Sequence, residues 1–397
     1  MNYLVLTLIK AAVLAGVMLT SLAYLQWVER KVIAHIQLRL GPSRVGPHGL
    51  LQPLADVIKL FTKEDLVPPQ ADRLLFMLAP FLAVTLSLLP ACVMPYGPEI
   101  NVFGVRTWLQ LADLNVGVLF ILAVSSLSVY GIALAGWSSN NKYALLGGLR
   151  AAAQMVSYEL PLGLTIASVL LLANTLSLRE IVLSQSGYYF GFLPRWHIFQ
   201  APMPQLLGFV LFLISGFAET NRIPFDLPEA ENELVAGFHT EYSSMKFASF
   251  FMAEYGNIIT VTSMATLLFL GGWNPLFPVE WGSNFAPVLL FLAGAALAFY
   301  HGLVPTRPHD RYTLPVVGLV AFAVAALFLI PTVQSILLPL FWFGAKTGVL
   351  IFIFIWVRGT SPRFRYDQLM SFTWKFLFPV AMLNLLVTGF MVAVFGK

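Results

Sequence analysis

Seven carboxylates fall within 36 residues of this chain, and the apolar segments on either side are long enough to span a bilayer. The stretch runs from Glu219 to Glu254 and contains only two bases, Arg222 and Lys246. Burial and like charges both raise the pKa of a carboxyl group toward neutrality, so that it can exchange protons near pH 7. The acids of a solvated loop would not exchange protons near pH 7. Here Phe, Leu, Pro and Ile are interleaved with the acids, which argues against a solvated loop. The seven acids are Glu219, Asp226, Glu229, Glu231, Glu233, Glu241 and Glu254.

The composition identifies an integral membrane protein, which we expect to form a single domain over residues 1–397. Hydrophobic residues make up 58% of the chain and charged residues 11%, and the mean hydropathy is +0.79. The apolar runs exceed the length of a membrane β-strand and do not alternate, which predicts an all-α, polytopic bundle of about ten transmembrane helices. The predicted spans are 3–27, 74–95, 114–137, 156–176, 204–218, 246–272, 286–304, 313–331, 336–357 and 375–395.

The distribution of Lys and Arg predicts how this bundle is oriented. Alternate loops, at 28–73, 138–155, 219–247, 305–312 and 358–375, contain 17 of the 23 basic residues. The positive-inside rule therefore puts these loops in the cytoplasm and both chain ends outside. The net charge of +4 mostly reflects this topology, so it does not indicate nucleic-acid binding.

Residues 1–27 lack a preceding basic stretch, which favours a retained first helix over a cleaved signal peptide.

Motifs for cofactor binding are absent from the sequence. Neither a G-x-G-x-x-G opening a helix after a strand nor a phosphate-binding lysine loop occurs, so we expect no nucleotide site. The single cysteine, Cys92, excludes both an intrachain disulfide and a Cys-ligated iron–sulfur cluster held by this chain alone. The six histidines lie in loops or at span ends, which argues against haem. We therefore expect no metal or cofactor on this chain alone, and any redox role must use electrons from a partner.

Two cytoplasmic segments complete the set of candidate regions. Apolar residues recur at helical spacing through residues 50–61, in a stretch too short to span, which predicts an amphipathic helix on the membrane surface. More charge accompanies this helix than an anchor needs, namely Glu29, Arg30, Arg39, Arg44 and Asp56. The second segment, 357–376, contains four bases. They could be stop-transfer charges, or they could pair with the acidic stretch or hold a polar head group.

These regions resemble the H subunit of respiratory complex I, the proton-pumping NADH:quinone oxidoreductase. The resemblance covers residues 1–274 and 336–395. It rests on four ordered motifs: VERKV at 28–32, GPSRVGPHGLLQPLADVIKLFTKE at 41–64, AETNRIPFDLPEAENELVAGFHTEYSSMKFASFFMAEY at 218–255 and PRFRYDQLM at 362–370. Stretches 286–304 and 313–331 depart from the family pattern as an added pair of helices. Because two helices are added, the orientation of the following spans is unchanged.

The resemblance implies a quinone chamber and a proton route. The quinone tail would enter from the bilayer beneath the surface helix, and its head group would receive electrons from a partner. The residues implied to line or gate the chamber are Glu29, Arg30, Arg39, Asp56, Asp226, Phe251 and Arg358. The residues implied to form the coupling route are Glu159, Glu219, Glu229, Glu231, Glu233 and Glu254. Glu159 could instead simply hydrogen-bond a neighbouring helix, although an ionisable group within a membrane is a functional candidate by default.

The resemblance also implies the surroundings of the chain. Quinone would be its substrate, and FMN and iron–sulfur clusters would lie in partner subunits. These partners are the quinone-site subunits of the hydrophilic arm and small neighbouring membrane subunits, within the cell inner membrane. Two alternatives remain at this point. One is the equivalent subunit of a membrane-bound hydrogenase or of a relative that uses ferredoxin or coenzyme F420. The other is a stand-alone proton-coupled transporter, which would be expected to show an inverted repeat.

Overall fold

The computed structural model describes residues 3–102, 105–227, 231–305 and 309–395. The described residues form a bundle of α-helices with two very short antiparallel strand pairs. The helices are α1 Tyr3–Ile36, α2 Gln52–Thr62, α3 Arg73–Leu88, α4 Pro90–Val93, α5 Gly117–Ser138, α6 Lys142–Ala173, α7 Leu178–Ser184, α8 Leu206–Glu219, α9 Glu231–Leu234, α10 Ser244–Phe269, α11 Ala286–Leu303, α12 Asp310–Leu327, α13 Pro331–Thr360, α14 Tyr366–Phe372 and α15 Phe378–Phe395.

Shorter elements connect these helices. Strand β1 pairs with β2 in a hairpin, and β3 pairs with β4. The strands are β1 Glu99–Val102, β2 Val105–Trp108, β3 Tyr188–Tyr189 and β4 Leu193–Pro194. Single 3₁₀ turns occur at Pro47–Gly49, Gly237–His239 and Val279–Trp281, and a π-helical turn at Thr373–Leu377 joins α14 to α15. The prediction of an all-α bundle is therefore confirmed.

Eight helical segments of the described chain are long and apolar enough to cross a membrane. Two of the ten predicted spans fall outside this set. Helix α8, at 14 residues, is short, and α10 contains Glu254 and Asn257 among several hydroxyl residues that lower its hydropathy. The total of ten spans therefore stays a prediction, although all ten predicted segments are helical. The eight segments are Leu4–Ile36, Arg73–Val93, Gly117–Ser138, Lys142–Ala173, Val279–Leu303, Asp310–Leu327, Pro331–Thr360 and Tyr366–Phe395.

Helices α6 and α10 lie at the centre of the bundle. Helix α6 packs against α5, α8 and α15, while α10 packs against α3, α8 and α13. Small residues on α6 allow close approach: a Cβ added to Gly147 would lie 2.7 Å from the backbone nitrogen of Phe238. Such small residues are typical of helix contacts in membranes, where backbones must pack closely without a hydrophobic driving force. The loop before α10 is thereby held against the N-terminal end of α6.

Two lysines within predicted spans contact loops that are predicted to be outside. Lys10 donates hydrogen bonds to the carbonyls of Trp108 and Gln110 at 2.7 and 3.1 Å. Lys346 donates to the carbonyls of Leu270 and Asn274, both at 2.6 Å. Trp108, Gln110 and Asn274 belong to such loops, and Leu270 lies at the end of the predicted span 246–272. These contacts are consistent with the predicted alternation of sides, and the orientation itself stays a prediction.

The predicted surface helix is present as α2. Its apolar residues point away from the bundle, with Leu54, Ile58 and Phe61 exposed by 56%, 56% and 67%. Its C-terminal end is bound to the start of α10, because the Ser244 hydroxyl donates to the Leu60 carbonyl at 2.9 Å. A largely exposed apolar face at the edge of a membrane bundle is what a helix lying in the acyl boundary requires.

Candidate functional site

A buried carboxylate, that of Glu29 on α1, lies at the predicted cytoplasmic end of the bundle. It is only 3% exposed. Arg358 of α13 forms an ion pair with it, and Arg222 approaches from the loop after α8, with its Nη1 3.6 Å from Oε1 of Glu29. A buried charge is tolerated only when it is paired, and here two guanidinium groups share one carboxylate. Arg222 and Arg358 together carry one more positive charge than Glu29 compensates, and a further acid balances it.

Arg222 joins Glu29 to the acid on the central helix. It is 6% exposed, and its Nη2 lies 3.2 Å from Oε2 of Glu254 on α10. Its guanidinium also stands 4.3 Å from the centroid of the Tyr255 ring, a geometry that favours a cation. One arginine therefore connects α1, α10 and the loop that carries it. The sequence identified these three charged residues separately, but only the packing brings them together.

The loop that carries Arg222 is held by a glutamine from the centre of the bundle. Helix α8 ends at Glu219, and Pro224 follows closely, which prevents the helix from continuing. The Gln154 side chain on α6 is fully buried. Its Nε2 lies 2.9 Å from the Ala218 carbonyl and 2.8 Å from the Phe225 carbonyl, on either side of Arg222. Gln154 was not predicted as a site residue from the sequence. The signal that could have identified it was a polar residue within an apolar run.

A small cavity lies between Glu254 and the next acid, Glu219. Its volume is about 20 Å³, and both carboxylate residues line it, together with Ser128, Asn221 and Asn257. A polar space of this size is sufficient for about one water molecule, given that roughly 10–15 Å³ of such volume is the minimum. The cavity therefore offers hydrogen-bonding partners between two acids on different helices.

Beyond Glu219 the polar contacts continue to Glu159 on α6. The Ser125 side chain of α5 and the Glu159 carboxylate are both close enough to Glu219 to act on it electrostatically. The adjacent hydroxyl of Ser126 hydrogen-bonds the Glu159 carboxylate. The adjacent serines Ser125 and Ser126 of α5 therefore lie beside Glu219 and Glu159, respectively. These serines were not predicted as site residues, although polar residues in a span indicate partners within the bundle.

The remaining chamber candidates lie closer to the surface. Arg30 pairs with Asp56 at 2.9 Å between Nη1 and Oδ2, which joins α1 to the surface helix α2. Asp56 also accepts from Gln52 at 2.9 Å. Phe251 is half-buried on α10, with its ring centroid 4.7 Å from that of Phe247. These residues lie near the N-terminal end of α10, the predicted cytoplasmic end of the helix that carries Glu254.

Asp226 is paired with the basic segment that follows α13. Nη2 of Arg363 lies 2.9 Å from Oδ2 of Asp226, whose side chain is 14% exposed. Burial raises the pKa of Asp226 to about 6, opposed by the charge of Arg363 and reinforced by that of Glu254. The nearby His239 has its pKa lowered by burial and raised in part by Glu254. Bases 358–365 therefore do pair with acids, one of which belongs to the acidic stretch.

Some predicted site residues are not brought into this network. Arg39 is exposed, and the one hydrogen bond that the structure gives its side chain goes to Gln37, at 2.9 Å. Glu233 is exposed, with its Oε2 2.5 Å from Nη1 of Arg150. Glu229 lies outside the described residues. Glu231 begins the short helix α9.

Neither a metal-binding cluster nor a cysteine-based site is found among the described residues. No group of three or more His, Cys, Asp or Glu is positioned there to hold a metal ion. The ionisable groups that are close together are instead carboxylate–arginine pairs and carboxylate–hydroxyl contacts. Fold and site together define a polytopic membrane protein with a line of buried and half-buried acids leading from one face into the bundle.

Comparison with known proteins identifies the family. A family model described as NADH dehydrogenase matches residues 9–389. The H subunit (form 1) of NADH-quinone oxidoreductase from Solibacter usitatus (strain Ellin6076) is 64% identical over 392 residues, covering 99% of this chain and 98% of the relative. The H subunit (form 2) from Koribacter versatilis (strain Ellin345) is 48% identical over 401 residues, with 98% of both chains covered. The H subunit from Protochlamydia amoebophila (strain UWE25) is 45% identical over 371 residues, with 94% of this chain and 93% of the relative covered. The chain belongs to the NADH dehydrogenase family.

Proposed function

We propose that this chain serves as the H subunit of a proton-translocating NADH:quinone oxidoreductase, where it forms the quinone chamber and the first part of a proton route. The observation that carries the proposal is a line of acids: ion pairs join Glu29 through Arg222 to Glu254, a shared cavity joins Glu254 to Glu219, and Glu159 is the charged neighbour of Glu219. The relatives are all named as subunits of NADH-quinone oxidoreductase, which supports this function over a hydrogenase-type subunit or a stand-alone transporter.

The chamber would be formed at the cytoplasmic end of α1, α2, α10 and α13. Its apolar access lies under α2, whose hydrophobic face meets the bilayer, and its charged lining consists of the pairs described above. A quinone has an apolar tail and a head group that gains two electrons and two protons. The chamber therefore needs both an apolar entrance and a charged lining. We assign this lining to Glu29, Arg30, Arg39, Asp56, Asp226, Phe251 and Arg358.

Coupling would arise because Arg222 balances two carboxylates. A change of charge at the chamber alters the field at Glu29 and Arg358, and Arg222 is the cation shared by Glu29 and Glu254. In a site of low dielectric such changes act over several ångströms. Protons would then move between Glu254 and Glu219 through the polar cavity, and on toward Glu159. Glu229, Glu231 and Glu233 would form the cytoplasmic end of the route.

The assembly follows from the same function. FMN and iron–sulfur clusters of partner subunits would supply the electrons, and this chain would contribute no redox centre. Its partners would be the quinone-site subunits of the hydrophilic arm and small membrane subunits, in the cell inner membrane. The chain would act as a single membrane domain with the added pair α11–α12.

The test replaces Glu219 or Glu254 by Gln in the assembled complex. Gln keeps the size and hydrogen bonding of the side chain but cannot ionise, so proton pumping and coupled turnover should fall. Glu180→Gln is the matched control, since Glu180 is exposed on the opposite side and bonded to Thr175. Pumping in vesicles and the carboxyl infrared bands during quinone reduction are the measurements. Normal pumping in the Gln variants, or acids that stay ionised throughout, would reduce the cluster to a docking surface.

A further inference from the structure

The added pair of helices, α11 and α12, packs mainly on itself. Gly302 of α11 closely contacts Pro315 of α12, and Gly318 of α12 closely contacts Phe299 of α11. At the end away from the cytoplasmic loops, Phe291 and Phe328 approach Phe341 of α13, with centroid distances of 6.2 and 6.0 Å. The pair is thus anchored to the main bundle by a small aromatic cluster at one end.

The opposite end of the pair is bonded to the loop before α2. Nε2 of His48 lies 3.2 Å from Oδ1 of Asp310, the first residue of α12, and 3.1 Å from Oγ1 of Thr313. The Thr313 hydroxyl donates to the His309 carbonyl at 3.0 Å, so its oxygen accepts from the His48 ring. Asp310 is only 6% exposed. The contact places an imidazole nitrogen next to a carboxylate whose desolvation is costly.

The loop that presents His48 is tightly packed. Gly46, His48 and Gly49 have φ values of 70°, 53° and 77°, all in the left-handed region. A Cβ at Gly49 would lie 2.3 Å from the carbonyl oxygen of Pro42, so the loop closes on its own backbone. Helix α2 begins at Gln52, four residues after His48. A displacement of His48 would therefore be passed to the start of α2.

Helix α2 is then fixed at both of its ends. Its C-terminal end is bonded to α10 through Ser244 and Leu60, at 2.9 Å. Its N-terminal end follows the loop bonded to α12. Between the two ends, Gln52 donates to Asp56 at 2.9 Å, and Asp56 pairs with Arg30 at 2.9 Å. The placement of the Asp56 carboxylate depends on both attachments.

We propose that the α11–α12 pair braces the surface helix, and that Asp310 and Thr313 are positioning residues that act through His48 on Asp56 in the quinone chamber. This inference rests on the function proposed above. Without the brace the N-terminal half of α2 would be less well ordered, which weakens binding of quinone. The chemistry itself would be unaffected, because neither residue reaches the chamber.

The experiment measures quinone reduction by the assembled complex with Asp310→Ala and with Thr313→Val. Loss of the His48–Asp310 contact, or of the His48–Thr313 hydrogen bond, should raise the KM for quinone about threefold to tenfold. We expect little change in kcat and none in the oxidation of NADH by artificial acceptors. Asp113→Ala is the matched control, because Asp113 is an ion-paired acid on the opposite side, with its Oδ2 2.6 Å from Nη1 of Arg179.

An exchanged pair, His48→Asp with Asp310→His, distinguishes positioning from a general loss of structure. Asp tolerates the left-handed backbone at position 48, so the pair can form again with its direction reversed. Each single change should raise KM, and the double variant should restore it. Unchanged KM in Asp310→Ala, or failure of the exchange to restore it, would overturn the brace. If Asp56→Ala left quinone reduction intact, the chamber assignment itself would be wrong, whatever the Asp310 variants show.

Discussion

Neutralising Arg363 should move the protonation of Asp226 into the physiological pH range. Burial raises the pKa of Asp226 to about 6 even with Arg363 beside it, and the two side chains are 2.9 Å apart. An opposite charge at such a distance typically lowers a carboxyl pKa by about 1–3 units. In Arg363→Gln the pKa of Asp226 should therefore rise to about 7 or above.

The sign of the effect on stability follows from this direction. The pKa of Asp226 in the fold, about 6, is above its ordinary value of 3.8. Its contribution to stability is therefore complete below about pH 3.8 and is lost as the pH rises through about 6. Two pKa units correspond to about 3 kcal/mol lost by pH 8. One further unit in Arg363→Gln would add about 1.4 kcal/mol to that loss and would shift it to higher pH.

The assay is the pH profile of quinone reduction by the assembled complex, together with thermal unfolding at acidic and alkaline pH. The acid-side step of the profile should move up by about one unit in Arg363→Gln. Arg365→Gln is the control, because Arg365 is 77% exposed at its side chain and pairs with the exposed Asp367. Superimposable profiles for Arg363→Gln and the unchanged protein would refute the reasoning, as would an equal shift in Arg365→Gln.

Two further predictions concern other pairs. Ala at Arg30 or Asp56 should severely reduce quinone reduction while NADH oxidation by artificial acceptors continues; because the pair is partly exposed, less than about 1 kcal/mol of stability should be lost. A parallel loss of both activities in an assembled complex would contradict this role. Lys346→Met should destabilise the protein by about 1–3 kcal/mol, since it leaves half-buried carbonyls without a donor. The measurement is the unfolding temperature in detergent. The control is Lys375→Met, because Lys375 is exposed, and an equal effect of both substitutions would exclude this explanation.

The membrane class, the helices and the surface helix could be predicted from the sequence. Hydropathy over about twenty residues is a local property, so spans such as 74–95 and 114–137 coincide with helices in the structure. The helical spacing of Leu54, Ile58 and Phe61 likewise predicted the outward apolar face of α2. The two predicted spans outside the set of eight have different causes: α8 is apolar but only 14 residues long, whereas α10 carries buried polar groups such as Glu254 in place of hydrophobic ones.

The pairing of the acids was decided only by the tertiary structure. The acidic stretch has two bases of its own, and this favoured uncompensated carboxylates. The fold instead brings Arg363 to Asp226 across 137 positions and Arg150 to Glu233 across 83. Ion pairs at such separations depend on how helices pack, and no local periodicity encodes them. The sequence by itself therefore determined which residues could carry charge in the membrane, while the packing of α1, α6, α10 and α13 determined which of those charges meet.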